Sequence, residues 1–217
     1  MKPHALFAAL ILAAASSAAC SPGDRGPAGN PESRTYPLAD FTNVSAETGI
    51  ELILKQGAFA VEAQSHNADL SRLVIEKRGA TLDIGSSQRI TIGRSPTYTV
   101  TVTAPTYEAI TASAGVKITG ENLKFDNLKV DTSTGVAADL SGECIALDAS
   151  ASAGAVINAR GLKCVSAKLD AAAGAKIEAF ASEKADARAA AGAVIDIYGS
   201  PPNVSQNASV AGVINVH

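Results

Sequence analysis

Aromatic residues make up 4% of this 217-residue chain, and tryptophan is absent. Large rings normally fill the centre of a wide globule, so the interior here must be narrow and built from Ala, Val, Ile and Leu. The 18 Lys and Arg form no basic tract against 21 Asp and Glu, which argues against a nucleic-acid partner. Histidine is scarce as well. Beyond the first nineteen residues only His66 and His217 remain, far apart in the sequence, and no nucleophile elbow, phosphate loop or zinc spacing accompanies them. No catalytic residue, metal or cofactor is expected.

The one sustained apolar run, from Ala5 to about Ala15, is short for a membrane span. Lys2 precedes it and small residues follow, the layout of a secretory signal peptide over residues 1–19. Two processing routes fit. Ordinary signal peptidase would accept Ser17 and Ala19, whereas "SAAC" resembles a bacterial lipobox with Cys20 as the lipidated residue, although Ser17 stands where Leu is usual. The lipid route is the favoured expectation, giving a membrane partner through the anchor; Ser21 after the cysteine suits an outer-membrane destination. Residues 20–37 hold Pro22, Pro27, Pro31 and Pro37 and little that is apolar, so they read as a flexible linker. Its reach is about 20–25 Å.

What the chain does have is repetition. Gly115, Gly135, Gly154, Gly174, Gly192 and Gly212 sit in near-copies of one phrase, spaced 20, 19, 20, 18 and 20 residues apart. A period near twenty points to a solenoid. Alanine-rich "EKADARAAAG" favours helix on propensity, but Ala185, Ala187 and Ala189 alternate with Lys184, Asp186 and Arg188, which is the strand pattern. Positions one, three and five after each glycine are mostly apolar (Val136, Ala138 and Leu140, for example), and position four is polar: Thr119, Asp139, Asn158, Glu178 and Asp196, with Asn215 in the shortened last copy. Each coil is then at least two short strands meeting at a glycine corner. One coil cannot offset its own ordering entropy, about 1–2 kcal/mol per residue; stacked coils share ladders and bury each other's edges. Residues 38–110 alternate with a looser period, and "NADLSRLV" suits a helical turn. This half is expected to form the wider first coils and the cap of a domain covering 38–217.

"FTNVSAETGIELILKQG", "ATLDIG", "SAGVKITG" and "VIDIYGSPPNVSQNASVAGVINVH" resemble the bacterial auto-transporter adhesin head GIN domain family, a domain of unknown function. Gly212, Ile214 and Asn215, and earlier Gly154, Ile157 and Asn158, carry its letters. The resemblance implies an all-β, right-handed parallel β-solenoid (β-helix) in a secreted or lipidated envelope protein. It supplies no catalytic residues.

Three constellations remain. Cys144 and Cys164 lie twenty residues apart, so stacking would place them within disulfide range, as a bridge or as two facing thiols. The polar column could hold a hard cation, but an outer face is polar for solvation alone, and no calcium nonapeptide accompanies it. Arg160, Phe180, Tyr198 and His217 form a further outward column, either an aromatic shield or a shallow surface for a glycan or envelope protein. A non-catalytic, adhesin-like envelope module is the expected function. A polysaccharide-active β-helix enzyme and a structural spacer are the alternatives, and the sequence leaves the oligomeric state open.

Overall fold

Alternating side chains point to opposite faces of a strand, and the alternating stretches do form strands in the computed structural model, which describes residues 32–65, 69–86 and 98–217. The expected signal peptide (1–19), Cys20, linker residues 20–31, His66 and the alternating segment 89–93 lie outside the described residues. In chain order the strands are β1 (Glu32–Tyr36), β2 (Asn43–Glu47), β3 (Ile50–Gln56), β4 (Ala60–Ser65), β5 (Leu73–Arg78), β6 (Thr81–Ser86), β7 (Tyr98–Ala104) and β8 (Ala109–Ser113). Then come β9 (Lys117–Thr132), β10 (Ala137–Ala151), β11 (Val156–Ala171), β12 (Lys176–Ala189), β13 (Val194–Tyr198), β14 (Asn203–Ala208) and β15 (Val213–Val216). The expected helical turn is a single 3-10 turn, Leu70–Arg72, capped by the Asp69 carboxylate accepting from the Ser71 amide at 2.8 Å.

These strands build a β-solenoid of about five turns with about 20 residues per turn. Strands β9 to β12 bend midway and serve two faces. Their leading halves pair in parallel on one face, which ends in β13 and β15; their trailing halves pair on the other, which ends in β14. Register is held by position: Ala138 pairs with Ile118 and Ile157, and Ala149 with Val130 and Leu169. The residues expected inside are inside. Val136, Ala138, Leu140, Ala155, Ile157, Ala159, Ala175, Ile177 and Ala179 are all buried, as are Leu128, Val130, Leu147 and Leu169.

The N-terminal half is less regular, as expected, but it does not stack in chain order. Strand β3 pairs with both β7 and β9, and β2 with both β6 and β8. The coil β2–β3 therefore lies between β6–β7 and β8–β9. The chain leaves it, lays down antiparallel β4 and β5, and returns to add β6–β7 on the outside. Strand β1 pairs antiparallel with β4, so residues 32–36, read from the sequence as part of the linker, lie in the sheet. Glu32–Tyr36 can leave the linker because β4 offers it a free edge, which no local composition records.

The core tapers. Phe41, Tyr98 and Tyr107 fill the first coils, whereas Ala185, Ala187, Ala189 and Ala193 fill the last regular ones. Buried tyrosine needs a hydrogen-bond partner. The Tyr107 hydroxyl lies 2.8 Å from the carbonyls of both Lys55 and Val102, and burial pushes its phenol well above the ordinary value.

The glycine corners are two-residue turns with both central residues left-handed, such as Ala153–Gly154 (φ 49° and 72°) and Ala173–Gly174 (φ 51° and 71°). Each turn glycine donates its amide across to the next coil: Gly135 to the Ala153 carbonyl, Gly154 to Ala173, Gly174 to Ala191. Gly212 does not belong to this column. The last coil is one residue shorter, so its left-handed pair is Val210–Ala211, and Gly212 stands in register with Ala193. The column is completed instead by Gly49, after Thr48, whose amide donates to the Ala114 carbonyl.

Candidate functional site

A coil needs a second bend to close, and glycine serves there for space as well as for its positive φ. At Gly142 an added Cβ would fall on the Leu123 backbone, and at Gly199 on the Ala181 carbonyl and the Phe180 ring. This bend also takes up the irregularities of the repeat. Ala159 pairs with Ala179 but Lys163 with Phe180, so residues 160–162 of β11 have no opposite number in β12; Arg160 and Gly161 face outward there while Leu162 stays buried. Three residues are lost at this point and one is regained between Ala181 and Lys184, which lie opposite Cys164 and Ser166, so the spacing drops from 20 to 18 between Gly174 and Gly192.

The bulge assembles the outward column. Arg160 reaches past Phe180 to lie 4.1 Å from the centroid of the Tyr198 ring, two coils on. His217, from the following coil, stacks on Tyr198 with centroids 4.8 Å apart and planes 17° apart. Lys163 places its ammonium 4.0 Å above the Phe180 ring and donates to the Arg160 carbonyl at 3.2 Å. All four residues expected in the column come together, and Lys163 joins them. The Tyr198 ring is sandwiched along the stack and the Phe180 face is covered. The surface therefore presents cationic groups backed by aromatic rings rather than open stacking faces. Lys163 is missing from the sequence reading because the bulge alone carries it into the Phe180 row; the shortened spacing was its only signal.

Within the regular coils charge pairing picks out the same place, and Lys55 and Lys77 of the earlier coils also lack an ion pair among the described residues. From Lys117 onward the chain has nine Lys and Arg. Seven face a carboxylate within 4.0 Å: Lys117, Lys124, Lys129, Lys168, Lys176, Lys184 and Arg188. Among the described residues Arg160 and Lys163 have no such ion pair.

The polar column stacks in register from Thr119 through Asp139, Asn158, Glu178 and Asp196 to Asn215. Its members satisfy one another. Asn158 donates to Asp139 at 3.3 Å and Asn215 to Asp196 at 2.8 Å, while Lys176 bridges Glu178 and Asp196. Burial alone would raise the Asp196 carboxyl, but the Asn215 amide, the Lys176 charge and His217 outweigh it and hold the group below its ordinary value. Amide and ammonium groups thus already engage Asp139, Glu178 and Asp196.

Cys144 and Cys164 pair in register, buried, with Cα atoms 4.4 Å apart, and are joined as a disulfide. The bridge fills the interior where Phe125 stands one coil earlier and Ala181 one coil later. On the other face a ladder alternates in sign, Lys129, Asp148, Lys168 and Asp186. It runs beside two shallow grooves of about 570 and 770 Å³. Within it Lys168 pairs with Asp148, while Lys129 pairs with Asp131 and Asp186 with Lys184; all are exposed, so they present little net field.

Several solved structures share this fold. A "putative adhesin" from Bacteroides fragilis NCTC 9343 superposes with a TM-score of 0.72 over 88% of this chain and 99% of its own, at 18% identity. Two proteins of Parabacteroides distasonis ATCC 8503 are also similar. One is described as a "putative adhesin" (TM-score 0.55, 15% identity, 87% of this chain and 98% of that one). The other is described as a "putative lipid binding protein" (TM-score 0.53, 16% identity, 87% and 97%). No curated protein matches the chain. At these identities the structures establish the fold alone. The family model described as "Putative auto-transporter adhesin, head GIN domain" matches residues 40–201, and the chain belongs to that family.

Proposed function

We propose that this chain is a non-catalytic, adhesin-like module of the bacterial envelope that retains an acidic glycan at the bend carrying Arg160, Lys163, Phe180, Tyr198 and His217. The observation that carries the reading is the pairing pattern. The two cations of the regular coils without a carboxylate partner are neighbours, each seated on an aromatic ring. Guanidinium and ammonium groups held this way lose little side-chain freedom on binding, and they offer charge-assisted hydrogen bonds to carboxylate or sulfate. Family membership and the likeness to adhesin-named folds support an envelope role. In this reading Cys20 bears a lipid, and the residues after it hold the solenoid off an outer membrane.

The test is a glycan array probed with the intact protein. Glycans bearing carboxylate or sulfate should be retained, neutral ones not, and retention should weaken with salt. Arg160→Gln with Lys163→Gln should reduce retention on the order of tenfold or more with thermal unfolding unchanged. Equal retention of neutral glycans, or no loss in the double variant, overturns the proposal. Turnover of a bound glycan would favour a polysaccharide-active enzyme, and complete silence a spacer.

A further inference from the structure

The two ends of the solenoid are finished differently. At the N-terminal end the outermost strands are antiparallel β1 and β5, and they carry Glu32, Arg34, Glu76, Lys77 and Arg78. Charge on an edge strand is a common protection against adding another strand. At the other end, among the described residues, β14 pairs only with β12 and β15 only with β13, so both present an edge that no described strand covers. After Asp196 the chain has no Asp, Glu, Lys or Arg. Val204 and Ile214 continue the core columns of Ala185 and Ile195 yet are only partly buried, and Val210, Val213 and Val216 are 80%, 45% and 40% exposed.

We propose that this C-terminal coil is an interface, and that its occupant is the same coil of a second copy, paired antiparallel about a two-fold axis into an end-to-end dimer. An open strand edge is satisfied by another strand. A coil without Asp, Glu, Lys or Arg side chains after Asp196 meets its own copy with little repulsion, whereas the charged N-terminal edge is a poor partner for it. Like-to-like pairing therefore closes at two copies instead of growing into a fibre. Strand β14 spans only about 20 Å, so the contact falls short of the roughly 800 Å² per partner of a standard interface. Affinity in the micromolar range or weaker is expected.

Two measurements on the intact protein in mild detergent test this. Sedimentation from roughly 1 to 500 μM should show the mass doubling. Hydrogen exchange over the same range should show protection rising with concentration in β14 and β15 and nowhere else. Gln206→Lys with Val213→Lys, both at exposed positions, should leave the melting curve intact and abolish both effects. A monomer at every concentration, exchange in β14 independent of concentration, or a dimer that survives both lysines overturns the proposal.

Discussion

Arg160 and Tyr198 come from coils two apart in the stack, yet the guanidinium carbon lies 4.1 Å from the ring centroid. The contact exists because residues 160–162 have no counterparts in β12, which lets the Arg160 side chain pass Phe180. An exposed cation–π contact contributes about 0.5–1 kcal/mol, so its structural value is small. Its value for binding is to fix a charged group in place. Phe180→Ser with Tyr198→Ser should therefore lower stability by no more than about 2 kcal/mol while removing glycan retention. Calorimetry and the array read the two effects separately.

The two glycine columns should answer differently to the same substitution. Around Gly154 there is open space, and only its positive φ excludes a side chain. Gly154→Ala should cost about 1–2 kcal/mol, and Gly154→Asn less, since Asn tolerates the left-handed region. At Gly142 an added Cβ meets the Leu123 backbone. There both Ala and Asn should cost about 3 kcal/mol or more. Because φ is positive at Gly142 too, at 135°, denaturant titration of the four variants separates a conformational need alone from one joined to a lack of space.

The Cys144–Cys164 bridge closes a loop of 20 residues. Chain entropy assigns such a loop about 3 kcal/mol. The Cys144→Ala, Cys164→Ala variant should melt roughly 6–12 °C lower, with the array signal intact, because the bridge lies inside and the ligand surface outside. Reducing agent should reproduce the shift in the unaltered protein and leave the variant unaffected.

Acid should loosen the last coils through Asp196. Its carboxyl titrates below the ordinary value in the folded chain, so its stabilising contribution is complete above about pH 3.9 and is lost as pH falls through the lower folded value. Asn215→Leu should move the Asp196 titration upward, toward the ordinary range. Carboxyl chemical shifts read it directly, and loss of β13–β15 amide protection should follow the same curve.

Much of this architecture is legible in the sequence because a solenoid repeats its local instructions. The alternation around Ile157 and Leu169 names the buried face, and Gly115 to Gly192 name one corner. What is not legible depends on partners far along the chain. Nothing near Ile50–Gln56 tells that β7 will return to its outer side, since periodicity fixes which face a residue takes but not the order of coils. Gly212 looks like a corner glycine until the missing residue shifts the left-handed pair to Val210–Ala211. Arg160 and Tyr198 share a column by spacing, but only the bulge decides that Lys163 joins them.

Every surface named above depends on coils lying in register, and that can be measured with one distance. Lys117 and Val213 are outward-facing, 96 residues apart in sequence and five ladder steps apart through Ala137, Val156, Lys176 and Val194. With about 4.8 Å per step, spin labels on unnatural amino acids at these two positions should give one narrow distance near 24 Å by pulsed electron resonance. A broad distribution, or a separation far outside the reach of the labels around that value, would contradict the stacked coils and the binding edge built on them.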